Sequence, residues 1–251
     1  MSASRAGPAA GVASPAVSPT LTAVSRVHHP VFARLFARLA PRMDAAGVAA
    51  HRQDLVAGLA GRVLEIGAGT GASFPHYGPG VTQLVAAEPE PYLRQIARTA
   101  SEDTTIPVEV IDAVADSLPF PDASFDACVA SLVLCSVADQ AAALAEIRRV
   151  LRPEGELRFY EHVAAPTGTL LARLQSALDL VWPRIAGGCH TGRDTEAAVL
   201  AAGFEITSIR RFTFRPTLVA APVAPHVIGT ARRRPIAPEV HRASPDGARL
   251  P

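Results

Sequence analysis

The residues richest in chemistry begin at Arg62-Val63-Leu64-Glu65-Ile66-Gly67-Ala68-Gly69-Thr70-Gly71, an apolar run feeding a turn with glycine at every second position. Glycine accepts positive φ and lets a backbone approach a ligand closely. The spacing is G-x-G-x-G, not the G-x-G-x-x-G of dinucleotide folds. Glu65 stands two residues before the first glycine, where a carboxylate repels a pyrophosphate and attracts an ammonium group. Glu88 closes the next apolar run, 17 residues after Gly71. An acid near that spacing takes ribose hydroxyls in nucleotide-binding βαβ units. Asp112 closes a third run and offers an acceptor to the exocyclic amine of adenine. Three strand-end acids beside a glycine turn describe a pocket for a cationic, phosphate-free nucleoside with an amino-acid tail.

These side chains converge only if an open sheet lines up their strands. Val63–Ile66, Thr82–Ala87, Val108–Ile111, Phe125–Leu134 and Glu156–Val163 read as strands. Between and after them, Pro91–Ala100, Ala138–Arg152, Gly168–Val181 and Asp194–Ala202 read as helices. Arg152-Pro153-Glu154-Gly155 is a stop signal, and Gly203 ends the last helix. Glu205–Phe214 and His226–Thr230 read as a closing antiparallel pair. Alternation of this kind predicts an α/β fold, a mainly parallel sheet covered on both faces, with ligands at the carboxyl ends of its strands. Val31, Phe32, Leu35, Phe36 and Leu39 share one face of an amphipathic helix. A lid over the ligand site is the first reading of that helix, and peripheral membrane contact through residues 30–40 the second.

Composition narrows the classes. The chain has 251 residues, 49% of them apolar and 19% charged, with a net charge of +1. It can bury a core and lacks the basic footprint of a nucleic-acid binder, so no nucleic-acid partner is expected. All 24 basic residues are arginine, and lysine and asparagine are absent. That bias points to a GC-rich, bacterial genome and discounts much of the Ala and Arg content as chemistry. Cys128, Cys135 and Cys189 form no CxxC pair and no even framework, which argues against disulfide scaffolds and secretion. No apolar run is long enough to cross a membrane, and the N-terminus lacks the compact apolar region of a signal peptide. A cytoplasmic protein is expected. Residues 1–25 read as a disordered leader, 26–231 as one domain and 232–251 as a disordered, Arg-rich tail.

In their order and spacing these segments resemble class I S-adenosylmethionine (SAM)-dependent methyltransferases of the methyltransferase type 11 family. The matching stretches are Val63–Gly71 (VLEIGAGTG), Val85–Leu93 (VAAEPEPYL), Ile111–Asp126 (IDAVADSLPFPDASFD) and Ala143–Val163 (ALAEIRRVLRPEGELRFYEHV). A narrower resemblance, to thiol S-methyltransferase-like and phosphatidylethanolamine N-methyltransferase-like members, rests on His29–Ala40, Ser131–Gln140, Phe159–Val163 and Gly188–Thr195. The resemblance implies a Rossmann-like, mostly parallel seven-stranded sheet with SAM as cofactor. It implies that Gly67, Ala68, Gly69 and Gly71 cradle the homocysteine part and that Glu65 orients its amino end. Glu88 and Pro89 would meet the ribose, Asp112 and Ala113 the adenine, and Ser131 the methionine tail.

The implied reaction moves a methyl group to a small lipophilic acceptor, a thiol favoured. Amine or phospholipid N-methylation, and a SAM-binding module without catalysis, are the alternatives. A thiol acceptor needs help to ionise, and His162 and His190 are the candidate bases. Glu161 and Asp194 are candidates to orient them, although Asp194 also reads as a helix cap. No metal is expected, because Cys189 and His190 have no second Cys/His pair at ligand spacing. Trp182, Phe32 and Phe36 are candidates for an apolar acceptor wall, and Cys135 for buried lining. The sequence leaves the oligomeric state open.

Overall fold

The computed structural model describes residues 28–215 and 218–234. The expected leader 1–25 and all of the expected tail beyond Arg234 lie outside the described residues. The chain opens with helix α1 (Pro30–Met43), a kinked turn at Asp44–Val48, and α2 (Ala49–Val56). Then follow β1 (Gly61–Ile66), β2 (Val81–Ala87), α3 (Pro91–Ser101), β3 (Val108–Ile111) and β4 (Phe125–Ser131). The second half runs α4 (Gln140–Val150), β5 (Leu151–His162), α5 (Leu170–Leu178), the short α6 (Trp182–Ile185) and α7 (Thr195–Ala201). β6 (Phe204–Thr213) and β7 (Pro225–Arg233) complete it.

One seven-stranded sheet results, in the order β3-β2-β1-β4-β5-β7-β6. All neighbouring pairs from β3 to β5 are parallel, and β7 runs antiparallel between β5 and β6. The expected closing pair is therefore present, and Arg232 and Arg233, expected in the tail, end its second strand. Side chains alternate across a strand. Leu64 and Ile66 enter a core on one face with Val85, Phe125 and Ile147, while Val63 enters a second core with Leu84, Ala86 and Val129. Both faces are thus covered, as an interior parallel sheet requires. Ile66 pairs with Ala87 and Ala130, and Ala87 with Ile111, so the carboxyl ends of β1 to β4 are level. The strand order reverses at β1, beside which ligands bind in open α/β sheets.

Three boundaries depart from expectation, each for a tertiary reason. β4 stops at Ser131 because Leu132 takes φ +57 and leaves the sheet. The expected helix through Arg152 ends at Val150, because fully buried Leu151 already pairs with Phe125 as the start of β5. The Pro153–Gly155 signal is consequently a bulge near the start of β5. The expected Gly168–Val181 helix breaks after Leu178, where the Asp179 carboxylate accepts from the backbone of Thr191 and Gly192 and ties α5 to a distant loop.

Candidate functional site

A cavity of about 720 Å³ opens where the carboxyl ends of β1 to β4 meet α1 and the α6–α7 loop. Its volume lies in the range of small-molecule sites. Gly67, Gly69, Glu88, Pro89, Asp112, Ala113, Ser131 and His190 all line it. Glu65 and Ala68 border a small side pocket that shares Gly67, Gly69 and Ser131 with the cavity. Gly71 borders neither. Its φ of +77 and its contact with Phe74, which a Cβ would approach to 2.6 Å, make it a packing glycine.

The glycine turn is held by the strand beside it. Gly67 and Ala68 donate their N–H groups to the Ala87 carbonyl at 2.8 and 3.2 Å. Gly67 has φ +62, and a Cβ there would stand 2.3 Å from Val133 Cγ2, so the site admits only glycine without rearrangement. The Glu88 carboxylate accepts from Gly69 N–H at 2.7 Å through Oε2 and from Glu90 N–H at 2.9 Å through Oε1. Burial raises its pKa against the pull of those two donors. Each oxygen keeps a free lone pair for a ligand hydroxyl. Arg94, not singled out in the sequence, donates to the carbonyls of Glu88 and Pro89 and pairs with Asp112 at 3.0 Å. It thereby ties the ends of β2 and β3 together.

Glu65 is 2% exposed and points to the face opposite Leu64. Burial pushes its carboxyl up to about 7, against hydrogen bonds from Ser73 and Tyr77 and the charge of Arg52. The Tyr77 hydroxyl donates to it at 3.1 Å. Arg52 is buried, pairs with Asp44 and lines both the side pocket and the cavity. A carboxyl and a guanidinium bordering one pocket suit a zwitterionic amino-acid end. Sequence reading missed Arg52, since α2 carries no strong apolar pattern around it. The Ser131 hydroxyl is buried without a partner at the cavity wall, so a ligand polar group there would relieve an orphaned atom. Together with the glycine turn, these groups fit a SAM molecule without phosphates.

The opposite wall is apolar. Phe32 and Phe36 of α1 stack at 5.9 Å and face the cavity, while Val31 (80% exposed) and Leu35 (51%) face outward. The single apolar face expected for this helix is thus divided between lid and surface. Gly187 lets the loop meet that lid, because a Cβ would lie 2.5 Å from the Phe32 ring. Pro183 lines the cavity, and Trp182 does not.

The two histidines part company. His190 lines the cavity, with Nδ1 4.0 Å from Asp179 Oδ2. His162 is 5% exposed, does not line the cavity, and sets its Nε2 3.0 Å from Cys189 Sγ. Glu161 orients neither: its buried carboxylate accepts from the N–H groups of Val133, Leu134 and Cys135 at 2.9–3.2 Å. Asp194 caps α7 by accepting from Ala197 N–H. Cys135, also expected as lining, sits behind the wall, and its Sγ, Cys189 Sγ and a His162 ring nitrogen all lie within 4.8 Å of one another. The Cys135 thiol beside it pulls the pKa of Cys189 down, while that of Cys135 itself is pushed up.

Residues 64–159 match the family described as methyltransferase domain. Human thiol S-methyltransferase TMT1B is 36% identical over 179 residues, covering 69% of this chain and 72% of the human protein. Human thiol S-methyltransferase TMT1A is 34% identical over 172 residues, covering 67% and 69%. Among solved structures, geranyl diphosphate methyltransferase in complex with SAM superposes with a TM-score of 0.63 at 14% identity, covering 80% of this chain and 90% of that one.

Proposed function

This chain belongs to the SAM-dependent methyltransferases that include thiol S-methyltransferases, and we propose that it methylates the sulfur of a small lipophilic thiol in the cytoplasm. The likeness to TMT1B and TMT1A carries the choice of thiol over amine. When bound, SAM supplies an electrophilic sulfonium methyl. Each remaining task falls to the chain's own residues. Glu88 takes the ribose hydroxyls, with Pro89 beside it, and its two backbone donors leave it no freedom to turn away. Asp112 and Ala113 border the adenine, and Arg94 holds Asp112 in place. Glu65 would meet the ammonium and Arg52 the carboxylate of the methionine tail, with the unpartnered Ser131 hydroxyl available to a polar group at the same wall. Backbone at Gly67, Ala68 and Gly69 packs against that tail.

Phe32 and Phe36 close over the acceptor and exclude water, so that two reactants meet in one orientation. We assign His190, whose side chain lines the cavity, to take the thiol proton. Among the described residues no helix is long and apolar enough to cross a membrane. The outward side of α1, residues 30–40, is the surface we assign to any peripheral membrane contact.

The test is a panel of thiols, amines and phenols offered to the purified protein, read out by S-adenosylhomocysteine release. Turnover on lipophilic thiols, lost in His190→Ala with SAM binding retained, is expected. Turnover on amines alone would overturn the thiol reading, and SAM binding without turnover on any acceptor would make the chain a binding module.

A further inference from the structure

Cys135, His162 and Cys189 stand far apart in the sequence, yet three separate devices bring them together behind the acceptor wall. The Glu161 carboxylate fixes the loop that carries Cys135 by taking its N–H and those of the two residues before it. His162 ends β5, the strand that also supplies Glu161. The Cys189 loop is drawn in by a hydrogen bond from His190 N–H to the Cys135 carbonyl at 2.9 Å. Gly188 permits that approach: its φ is +87, and a Cβ there would stand 2.8 Å from the Ser136 carbonyl. The result is two sulfurs and an imidazole nitrogen with every separation under 4.8 Å, that between His162 Nε2 and Cys189 Sγ being 3.0 Å.

A tetrahedral zinc site with bonds of about 2.3 Å to sulfur and 2.0–2.1 Å to nitrogen spaces its ligand atoms by roughly 3.5–3.8 Å. Two soft sulfurs and one imidazole are the donor set that selects zinc over magnesium or calcium. Three protein ligands with the fourth position left for substrate is the pattern of catalytic rather than structural zinc. Ser136, Gly188 and His190, the chain neighbours of the two cysteines, all line the cavity. The three ligand side chains themselves are not on the cavity wall, so the site lies directly behind the wall that these neighbours form.

We propose that Cys135, His162 and Cys189 bind one zinc ion whose fourth ligand is the sulfur of the methyl acceptor. This rests on the thiol reading above. The acceptor's S–H bond breaks, its proton passes to His190, and the thiolate sulfur occupies the vacant position. That sulfur then bonds to the methyl carbon as the carbon's bond to the sulfonium breaks. The products are a neutral thioether, a poorer zinc ligand that departs, and S-adenosylhomocysteine. Zinc suits the step because it ionises a bound thiol without redox chemistry.

Metal analysis of the full chain, dialysed against zinc and then metal-free buffer, is expected to find about one zinc per chain. Cys135→Ser, Cys189→Ser and His162→Asn are each expected to lose it. Because such variants can misfold, a second measurement uses the unaltered protein: zinc should shield Cys189, the one of the three cysteines that is not buried, from alkylation, and a chelator should expose it. Cobalt(II) in place of zinc should give a sulfur-to-metal charge-transfer band that strengthens when a lipophilic thiol is added and not when the matching alcohol is added. Absence of bound metal, with thiol reactivity indifferent to zinc and chelator, would overturn the site even if thiols are methylated. Metal bound in a protein that turns over thiols, with a cobalt spectrum indifferent to them, would overturn the coordination of the acceptor.

Discussion

Glu65 is the residue whose environment most changes what its type would do in water. Its carboxyl is pushed up to about 7 by burial in a pocket shared with Tyr77 and Arg52. The folded value lies above the unfolded one, so this group's contribution to apo-protein stability is full below about 4.5 and fades as pH rises through about 7. A cationic ammonium reverses the preference, because it favours the carboxylate. With the ammonium placed on Glu65 as proposed, SAM binding would displace a proton from it at mildly acid pH. Calorimetric SAM affinity is expected to fall by up to about tenfold per pH unit below 7, and Glu65→Gln should flatten that dependence. A wild-type affinity indifferent to pH between 5.5 and 7 would separate Glu65 from the ammonium.

At the scale of elements, the loop after β4 is the part that the acceptor wall hangs on. Leu132 leaves the sheet with φ +57, and the next three N–H groups all end on Glu161. Val133 from that loop then sits over Gly67, so one carboxylate on β5 sets both the acceptor wall and the glycine turn. Glu161→Ala would strand three buried donors, each at a cost of about 1–3 kcal/mol. The melting temperature is expected to drop by at least about 6 °C, with a weaker hold on SAM. A melting curve within about 1 °C of wild type would show that the loop stands without Glu161.

For the whole molecule, the cavity joins α1, four strand ends and the α6–α7 loop, so a cofactor in it ties sequence-distant parts together. A ligand that binds only the folded chain stabilises it by about 2.7 kcal/mol at a hundred times its dissociation constant. A thermal scan should show SAM raising the melting temperature by roughly 5–10 °C at that level. Glu88→Ala removes a charged acceptor worth about 1.5–3 kcal/mol, which weakens SAM by about tenfold or more. Its SAM-induced shift should fall to half or less, and an undiminished shift would remove Glu88 from the ribose.

The sheet, its succession of strands and helices, and most of the residues lining the strand-end side of the cavity were legible in the chain. Alternation of apolar runs sets strand and helix type, and a glycine turn followed by acids at strand ends is a local pattern. Val108–Ile111 emerged as read, and the closing pair formed with its second strand extended to Arg233. What local pattern could not convey was anything assembled from distant segments. Arg52 reaches the cofactor pocket from a helix with a weak apolar pattern, and Arg94 joins two strand ends that only the sheet makes neighbours. Leu151 reads as helical by spacing and becomes strand because Phe125 pairs with it. His162 has the type of a base and the position of a buried partner to two cysteines, since only the folded chain decides which sulfur lies 3.0 Å from its ring. Spacing along a chain encodes contacts within a few residues; contacts closed by loops are set by packing, and the acceptor side of this protein is built almost entirely from them.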